Sequence, residues 1–297
     1  MHLKAHRLYT IDMKILVTGC HGQLGRELHD VLDEHDLTNT VYIGHDNLDL
    51  SDAGAVTAFL EKGGFTHVVN CAAYTAVDRA EEEKSSCTAV NVEAVRNLAI
   101  HAERLGLKII HISTDYVYDG TAHTPYTEAA KTSPLSHYGD TKRKGETALL
   151  GLAPDSVIIR TQWLYSPYSD RNFISAILRK ARQGEKLRVV SDQIGTPTYA
   201  RDLAEMIYKI IEAPQWVSGI YHYSNEGVAS WYDFACAIVR MAGLDDVEIK
   251  PIHTSDYQAA ATRPMYALLD KSLIRATYGV KIPHWQQSLA KAIARMN

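Results

Sequence analysis

Tyr138 and Lys142 stand four residues apart in the stretch "SHYGDTK". On a helix that spacing puts both side chains on one face. A phenol titrates near ~10 and is a poor acid at neutral pH. An ammonium beside it favours the phenolate and lowers that value. Such a tyrosine can give a proton to a developing alkoxide, which is worth roughly 10²–10⁴-fold in rate. The same spacing also occurs on helices that only face solvent, so the surroundings decide. Upstream, "HISTDYVYDG" places Ser113, Thr114 and Asp115 at the end of an apolar run. A hydroxyl there can bond the oxygen that Tyr138 protonates. A cap or a turn would explain one hydroxyl but not the combination. His137 points about 100° away from Tyr138 around a helix and is not recruited to the chemistry.

These residues need a frame. "KILVT" at 14–18 is a short apolar run, followed by "GCHGQLG" and then by helical spacing at Leu24, Leu28, Val31 and Leu32. Further strands are expected at about 40–44, at "THVVN", at "KIIHIS" and at "SVIIRT". Helices are expected at 53–62 and 85–105, the second ended by Gly106. Strands that are apolar throughout, alternating with helices, predict a doubly wound parallel α/β sheet of Rossmann type. Beyond about residue 162 the pattern changes. Helices are expected near 172–183, 200–212 and 231–242, with short strands at 187–190, 219–223 and 247–252. The expected division is a nucleotide-binding domain of 13–161 with 186–219, and a smaller interleaved α/β substrate-binding region of 162–185 with 220–297. Met13 directly precedes the first strand, so residues 1–12 read as a poorly ordered N-terminal extension.

Gly19-x-x-Gly22-x-x-Gly25 lies at a strand–helix junction. Glycine is needed there for a tight turn, for close approach of backbone to a pyrophosphate, and for helix–strand packing. The free N–H groups of the helix start attract phosphate. An acidic residue at the end of the second strand would bind ribose hydroxyls and repel a 2′-phosphate. That strand ends Ile43-Gly44-His45-Asp46. With Gly44 in the deciding position His45 could donate to the phosphate; with Asp46 there NADH is favoured. The expectation is NADPH, with NADH accepted. Asp49 and Leu50 either flank the adenine or belong to a loop ending in a helix cap.

The chain has 297 residues and a net charge of -4, which gives no support for binding nucleic acid or an anionic membrane. The N-terminus has no apolar run of signal-peptide length and no stretch reaches a membrane span, so a cytoplasmic protein is expected. The four cysteines (Cys20, Cys71, Cys87 and Cys236) form no CxxC pair and no metal-like spacing with histidine. They read as reduced, packed thiols.

"ILVTGCHGQLGREL", "VVNCAAYTAVDRAE", "ISTDYVYDG", "SPLSHYGDTKRKGE", "RTQWLY", "VVSDQIGTPTYARDLA" and "RPMYALLD" follow one another in this order. Together they resemble the extended short-chain dehydrogenase/reductases, and most closely the dTDP-4-dehydrorhamnose reductase family. The resemblance implies reduction of the C4 ketone of dTDP-4-dehydro-L-rhamnose to dTDP-L-rhamnose by NAD(P)H. It implies that Tyr138 is the proton donor, that Lys142 holds the nicotinamide ribose, and that Thr114 orients the carbonyl. Cofactor contacts are implied at Gly19, His21, Gly22, Gln23, Leu24, Gly25, His45, Asp49, Leu50, Ala72, Ala73 and Tyr74, besides Tyr138 and Lys142. Substrate contacts are implied at Thr75, Val77, Thr114, Asp115, Tyr116, Trp163 and Asn172, with Asp78, Arg171 and Arg263 nearby. Asn91 is expected to pack the long helix.

Some family members hold a divalent ion with glutamates at a dimer contact. Glu27 matches one such position, but Arg201 stands after "PTYA" where an acid would be needed. No active-site metal is expected, while Mg²⁺ elsewhere, and monomer against homodimer, stay open. Two other readings share these motifs. One is a non-catalytic NADP-binding regulatory subunit like the β subunit of methionine adenosyltransferase, against which intact Thr114, Tyr138 and Lys142 argue. The other is a nucleotide-sugar epimerase or a different 4-ketoreductase; an epimerase would retain its cofactor through purification.

Overall fold

The computed structural model describes residues 13–296. The expected extension at 1–12 lies outside them. Six parallel strands form the central sheet: β1 (Ile15–Thr18), β2 (Thr40–Ile43), β3 (His67–Asn70), β4 (Lys108–Thr114), β5 (Val157–Thr161) and β6 (Gly219–His222). Their spatial order is β6-β5-β4-β3-β1-β2. After β1 the chain moves to one side for β2 and crosses back for β3. That reversal leaves a crevice beyond the carboxyl ends of β1 and β3, where ligands bind in such sheets.

Side chains alternate between the two faces of a strand. Ile15, Val17, Val69, Ile110, Val157 and Ile159 face one way and pack with α1 (Gln23–Glu34) and a helix at Ala200–Ile211. Leu16, Val68, Ile109 and Ile158 face the other way. They pack under α2 (Ala53–Gly63), α3 (Ala94–Leu105) and α4 (His137–Leu152). Both faces are covered, which explains why the strands read as unbroken apolar runs. The expected helix at 85–105 forms as a short turn Lys84–Thr88, a π-helical turn Ala89–Glu93 and then α3. Gly106 ends it in the left-handed conformation, φ 67°.

The later part packs as a separate apolar cluster around Phe173–Arg182, Trp231–Met241 and Trp285–Ala294. Leu187–Val190, grouped by sequence with the nucleotide-binding residues, pairs with Ile249–Ile252 outside the six-stranded sheet. Gly219–His222, which straddles the expected boundary, is an edge strand of the main sheet beside β5. Among the described residues no helix is long and apolar enough to cross a membrane.

Candidate active site

Ser136 caps α4, accepting from the Gly139 N–H at 3.2 Å. Tyr138 and Lys142 then fall one turn apart on the buried side. Gly139 is required between them, because a Cβ there would stand 2.3 Å from the Tyr116 carbonyl oxygen. The first turn of α4 can therefore lie directly on the turn that follows β4. His137 serves as a brace, its N–H donating to Glu81 Oε1 at 2.8 Å.

Tyr138 is buried among Ala80 and Cys87, with Tyr74, Val77 and Tyr116 against it. Tyr116 meets it edge-on at 5.4 Å between ring centroids. Burial pushes the Tyr138 phenol above its ordinary range, and the Thr114 hydroxyl is the influence that pulls it back. Sequence reasoning gave that second task to Lys142. Instead Lys142 Nζ donates to the Ile112 carbonyl at 2.7 Å. Burial brings Lys142 itself down to about 8.

Thr114 donates its hydroxyl to Asp115 Oδ1 at 3.0 Å and accepts the Tyr116 N–H at 3.3 Å. Asp115 is buried, and its Oδ2 has no hydrogen-bond partner. Burial pushes its carboxyl up to about 7. Sequence reasoning placed Asp115 here but did not foresee that burial would raise its carboxyl so far.

Behind this group runs a polar row that sequence reasoning missed. Thr18, Asn70 and His111 are direct cross-strand neighbours on β1, β3 and β4. Thr18 donates to Asn70 Oδ1 at 2.7 Å, and Asn70 Nδ2 lies 3.0 Å from His111 Nδ1. A lone histidine or asparagine in a run such as "KIIHIS" or "VVN" was the available signal. One strand further on, Arg160 binds both oxygens of Glu146, at 2.8 and 2.6 Å, and Ser113 donates to Glu146 at 2.6 Å.

A cavity of about 320 Å³ opens at the crevice between β1 and β3. Of the expected cofactor residues Gly19, Gly22, His45, Asp49, Leu50, Ala72, Ala73 and Tyr74 line it. Gly19 has φ 66°, and a Cβ there would stand 2.7 Å from the Ala72 nitrogen. The start of α1 has no side-chain cap, so its N–H groups remain for an anionic ligand. Small residues, apolar walls and open amides fit a dinucleotide. Asn91 does more than pack a helix: its Oδ1 accepts the Tyr74 N–H at 2.9 Å and so pins the cavity wall. Asp49 accepts from the Ser51 N–H and hydroxyl, while the neighbouring Asp52 caps α2. The helix-cap reading of that loop is therefore met at Asp52, and Asp49 and Leu50 lie on the cavity wall.

Other expected contacts lie off the cavity wall. Leu24 is in the core, and Gly25 packs on the Gly19 carbonyl. The exposed His21 pairs with Asp46 at 3.2 Å. Gln23 accepts from Asn172 Nδ2 at 2.8 Å. Asn172 also donates to the Ser166 carbonyl and caps the helix at Phe173, so protein groups engage its whole amide. Trp163, expected against the sugar, adopts φ 45° and stacks on Trp231 at 3.7 Å. Thr75 and Arg171 are exposed. Arg263 reaches across to Asp78 at 2.6 Å, tying a late loop to the turn after β3. Glu27 is held by Ser166 and Arg295, at 2.6 and 2.7 Å, and Arg201 pairs with Glu34. Among the described residues no group of three or more acidic, cysteine or histidine side chains could hold a metal ion.

The family model of the RmlD substrate binding domain matches residues 13–297. The chain belongs to the dTDP-4-dehydrorhamnose reductase family. It is 39% identical over 285 residues to the dTDP-4-dehydrorhamnose reductase of Aggregatibacter actinomycetemcomitans, covering 93% of this chain and 97% of that one. It is 40% identical over 283 residues to a probable dTDP-4,6-dihydroxy-2-methyloxan-3-one 4-ketoreductase of Streptomyces antibioticus, covering 94% of each. Among solved structures, a dTDP-4-dehydrorhamnose reductase of Clostridium acetobutylicum superposes with a TM-score of 0.91 at 38% identity, over 96% of this chain and 99% of that one. The Bacillus anthracis dTDP-4-dehydrorhamnose reductase, solved in complex with NADP, gives 0.91 at 33% identity over 95% and 99%.

Proposed function

We propose that the chain reduces the C4 ketone of dTDP-4-dehydro-L-rhamnose to dTDP-L-rhamnose with NAD(P)H. The observation that carries this is the convergence of Tyr138, Thr114 and Lys142 at the carboxyl end of β4, beside the glycine-lined cavity. A bound nicotinamide supplies the hydride. Tyr138 gives its phenolic proton to the C4 oxygen. Thr114 holds the same oxygen once its hydroxyl turns from Asp115. A carboxyl near 7 suits that exchange, because protonated Asp115 can donate to Thr114 Oγ1 and free the threonine hydrogen. Tyr74, Val77 and Tyr116 keep water from the phenol.

NADPH is the proposed cofactor, with NADH accepted. No side chain stands at Gly44, the nearby Asp46 is engaged by His21, and His45 lines the cavity. The experiment is NAD(P)H oxidation with enzymatically prepared dTDP-4-dehydro-L-rhamnose. Turnover is expected, and its absence in folded protein overturns the assignment. NADH preferred at least tenfold in KM would overturn the cofactor choice. The similar identity to relatives named for different sugars favours one second reading, a reductase of another dTDP-4-ketosugar. A panel of such sugars, compared by kcat/KM, separates the two.

A further inference from the structure

The row Thr18–Asn70–His111 ends at the lysine of the site, and its hydrogen bonds can be assigned one by one. The Asn70 side-chain oxygen receives the Thr18 hydroxyl at 2.7 Å and the Ala72 N–H at 3.2 Å. Two donors at one atom make that atom the oxygen, so the Asn70 NH₂ faces His111. His111 Nδ1, 3.0 Å away, must accept and carries no hydrogen. The ring is fully buried, and burial with Lys142 close by holds it neutral. Its single hydrogen therefore sits on Nε2, which lies 3.5 Å from Lys142 Nζ.

An ammonium has three donors and no acceptor, whereas a neutral amine has a lone pair. The Nε2–H can bond only the neutral amine. We propose that His111 is a positioning residue for the Tyr138–Lys142 pair, fixed by Thr18 and Asn70 so that its Nε2–H meets the Lys142 amine and stabilises the lysine after it has released a proton. The proton balance is simple. Tyr138 loses its proton to the C4 oxygen, the Lys142 ammonium replaces it by way of solvent, and the amine left behind accepts the His111 N–H until water reprotonates it. Other groups face Lys142 too. Glu146, one turn along α4, favours the ammonium, while burial pushes the nearby Cys87 and Cys71 thiols up. Glu146 is itself committed to Arg160 and Ser113. His111 is the neutral hydrogen-bond donor that opposes Glu146.

The inference rests on the proposed reductase reading, and its test has one arm that does not. In ¹⁵N-labelled protein, long-range imidazole correlations should show His111 neutral, with hydrogen on Nε2 and a bare Nδ1, from about pH 6 to pH 9. Asn70→Asp should reverse the tautomer, since a carboxylate accepts from Nδ1–H. His111→Phe removes the N–H and keeps a ring in place. Either variant should move the alkaline limb of kcat up by about one pH unit, with KM for the cofactor changed less than about threefold. A hydrogen on Nδ1 in the parent protein overturns the inference. So does an unmoved limb in an active variant. Failure of the parent protein to reduce any dTDP-4-ketosugar would overturn the functional reading alone, and the tautomer would still decide the inference.

Discussion

Two charged clusters on opposite faces of the sheet use similar residues to different ends. On the α4 face, Glu146 and Arg160 are both buried, with Ser113, Lys142 and Asp115 close by. On the α1 face, Glu34, Asp30, Arg201 and Arg295 rim an open cavity of about 600 Å³, with Glu34 59% exposed. Low dielectric makes every unmatched group on the first face expensive and every contact specific. Water screens the second. The shifted groups with chemical potential, Asp115 near 7 and Lys142 near 8, belong to the first face. The α1 face holds the Glu34–Arg201 pair on its open rim, beside the buried Glu27, which Arg295 and Ser166 hold.

The largest effect should come from Tyr138→Phe. The ring still fills its pocket, so the fold and cofactor affinity should stay, while kcat falls about 10²–10⁴-fold. NAD(P)H oxidation and cofactor fluorescence titration measure the two separately. Loss of less than about tenfold would show that the buried cluster does not supply the proton. Glu146→Gln comes next. It strands the Arg160 charge in the core, and breaking a buried pair costs about 3–5 kcal/mol. Urea unfolding measures this, and a change below about 1 kcal/mol would place the two clusters on the same footing.

How much of this contrast was legible beforehand differs by cluster. The shared face of Tyr138 and Lys142 followed from spacing and a hydroxyl near them from the end of an apolar strand, while their roles and the choice of Thr114 came from the family resemblance. The glycine loop followed from a strand–helix junction, whereas Ala72, Ala73 and Tyr74 on the cavity wall came from the family resemblance. The polar row did not. Thr18, Asn70 and His111 are far apart in the chain and meet only because parallel register aligns the ends of β1 and β3 with the middle of β4. Burial, which sets Asp115 and Lys142, is likewise a property of packing. Asn172 and Trp163 looked like ligand contacts because a polar loop residue and a tryptophan suit that role. In this structure a helix start and a facing Trp231 engage them. The strand at Leu187–Val190 was identified from its residues, but its partner was not, because short strands carry no register of their own.

Asp115 offers a third test of the buried face. Its carboxyl is raised from 3.8 to about 7, so the folded state keeps a proton that the unfolded chain releases in between. Stability should therefore fall as pH rises from about 4 to about 7, by on the order of a few kcal/mol. Below that window both states are protonated, and above it both are ionised. Asp115→Asn should flatten the slope. Thermal unfolding of both proteins across the window measures it, and an unchanged slope would mean that water reaches Asp115 as freely as it reaches the α1 face.

The smallest effect belongs to the Glu34–Arg201 pair on the open rim. Glu34 and Arg201 are in direct contact, and Arg201 holds Glu34 below the usual carboxylate range. Glu34 nevertheless stands largely in water, where ordering two long side chains offsets most of the attraction. A double-mutant cycle of Glu34→Gln and Arg201→Gln should give a coupling below about 1 kcal/mol, falling further in high salt. The same cycle on Glu146 and Arg160 should give several-fold more and hold its value in salt. A coupling above about 2 kcal/mol at Glu34 would mean that the open cavity screens far less than its exposure implies. The contrast between the two faces would then rest on which residues surround each pair, not on burial.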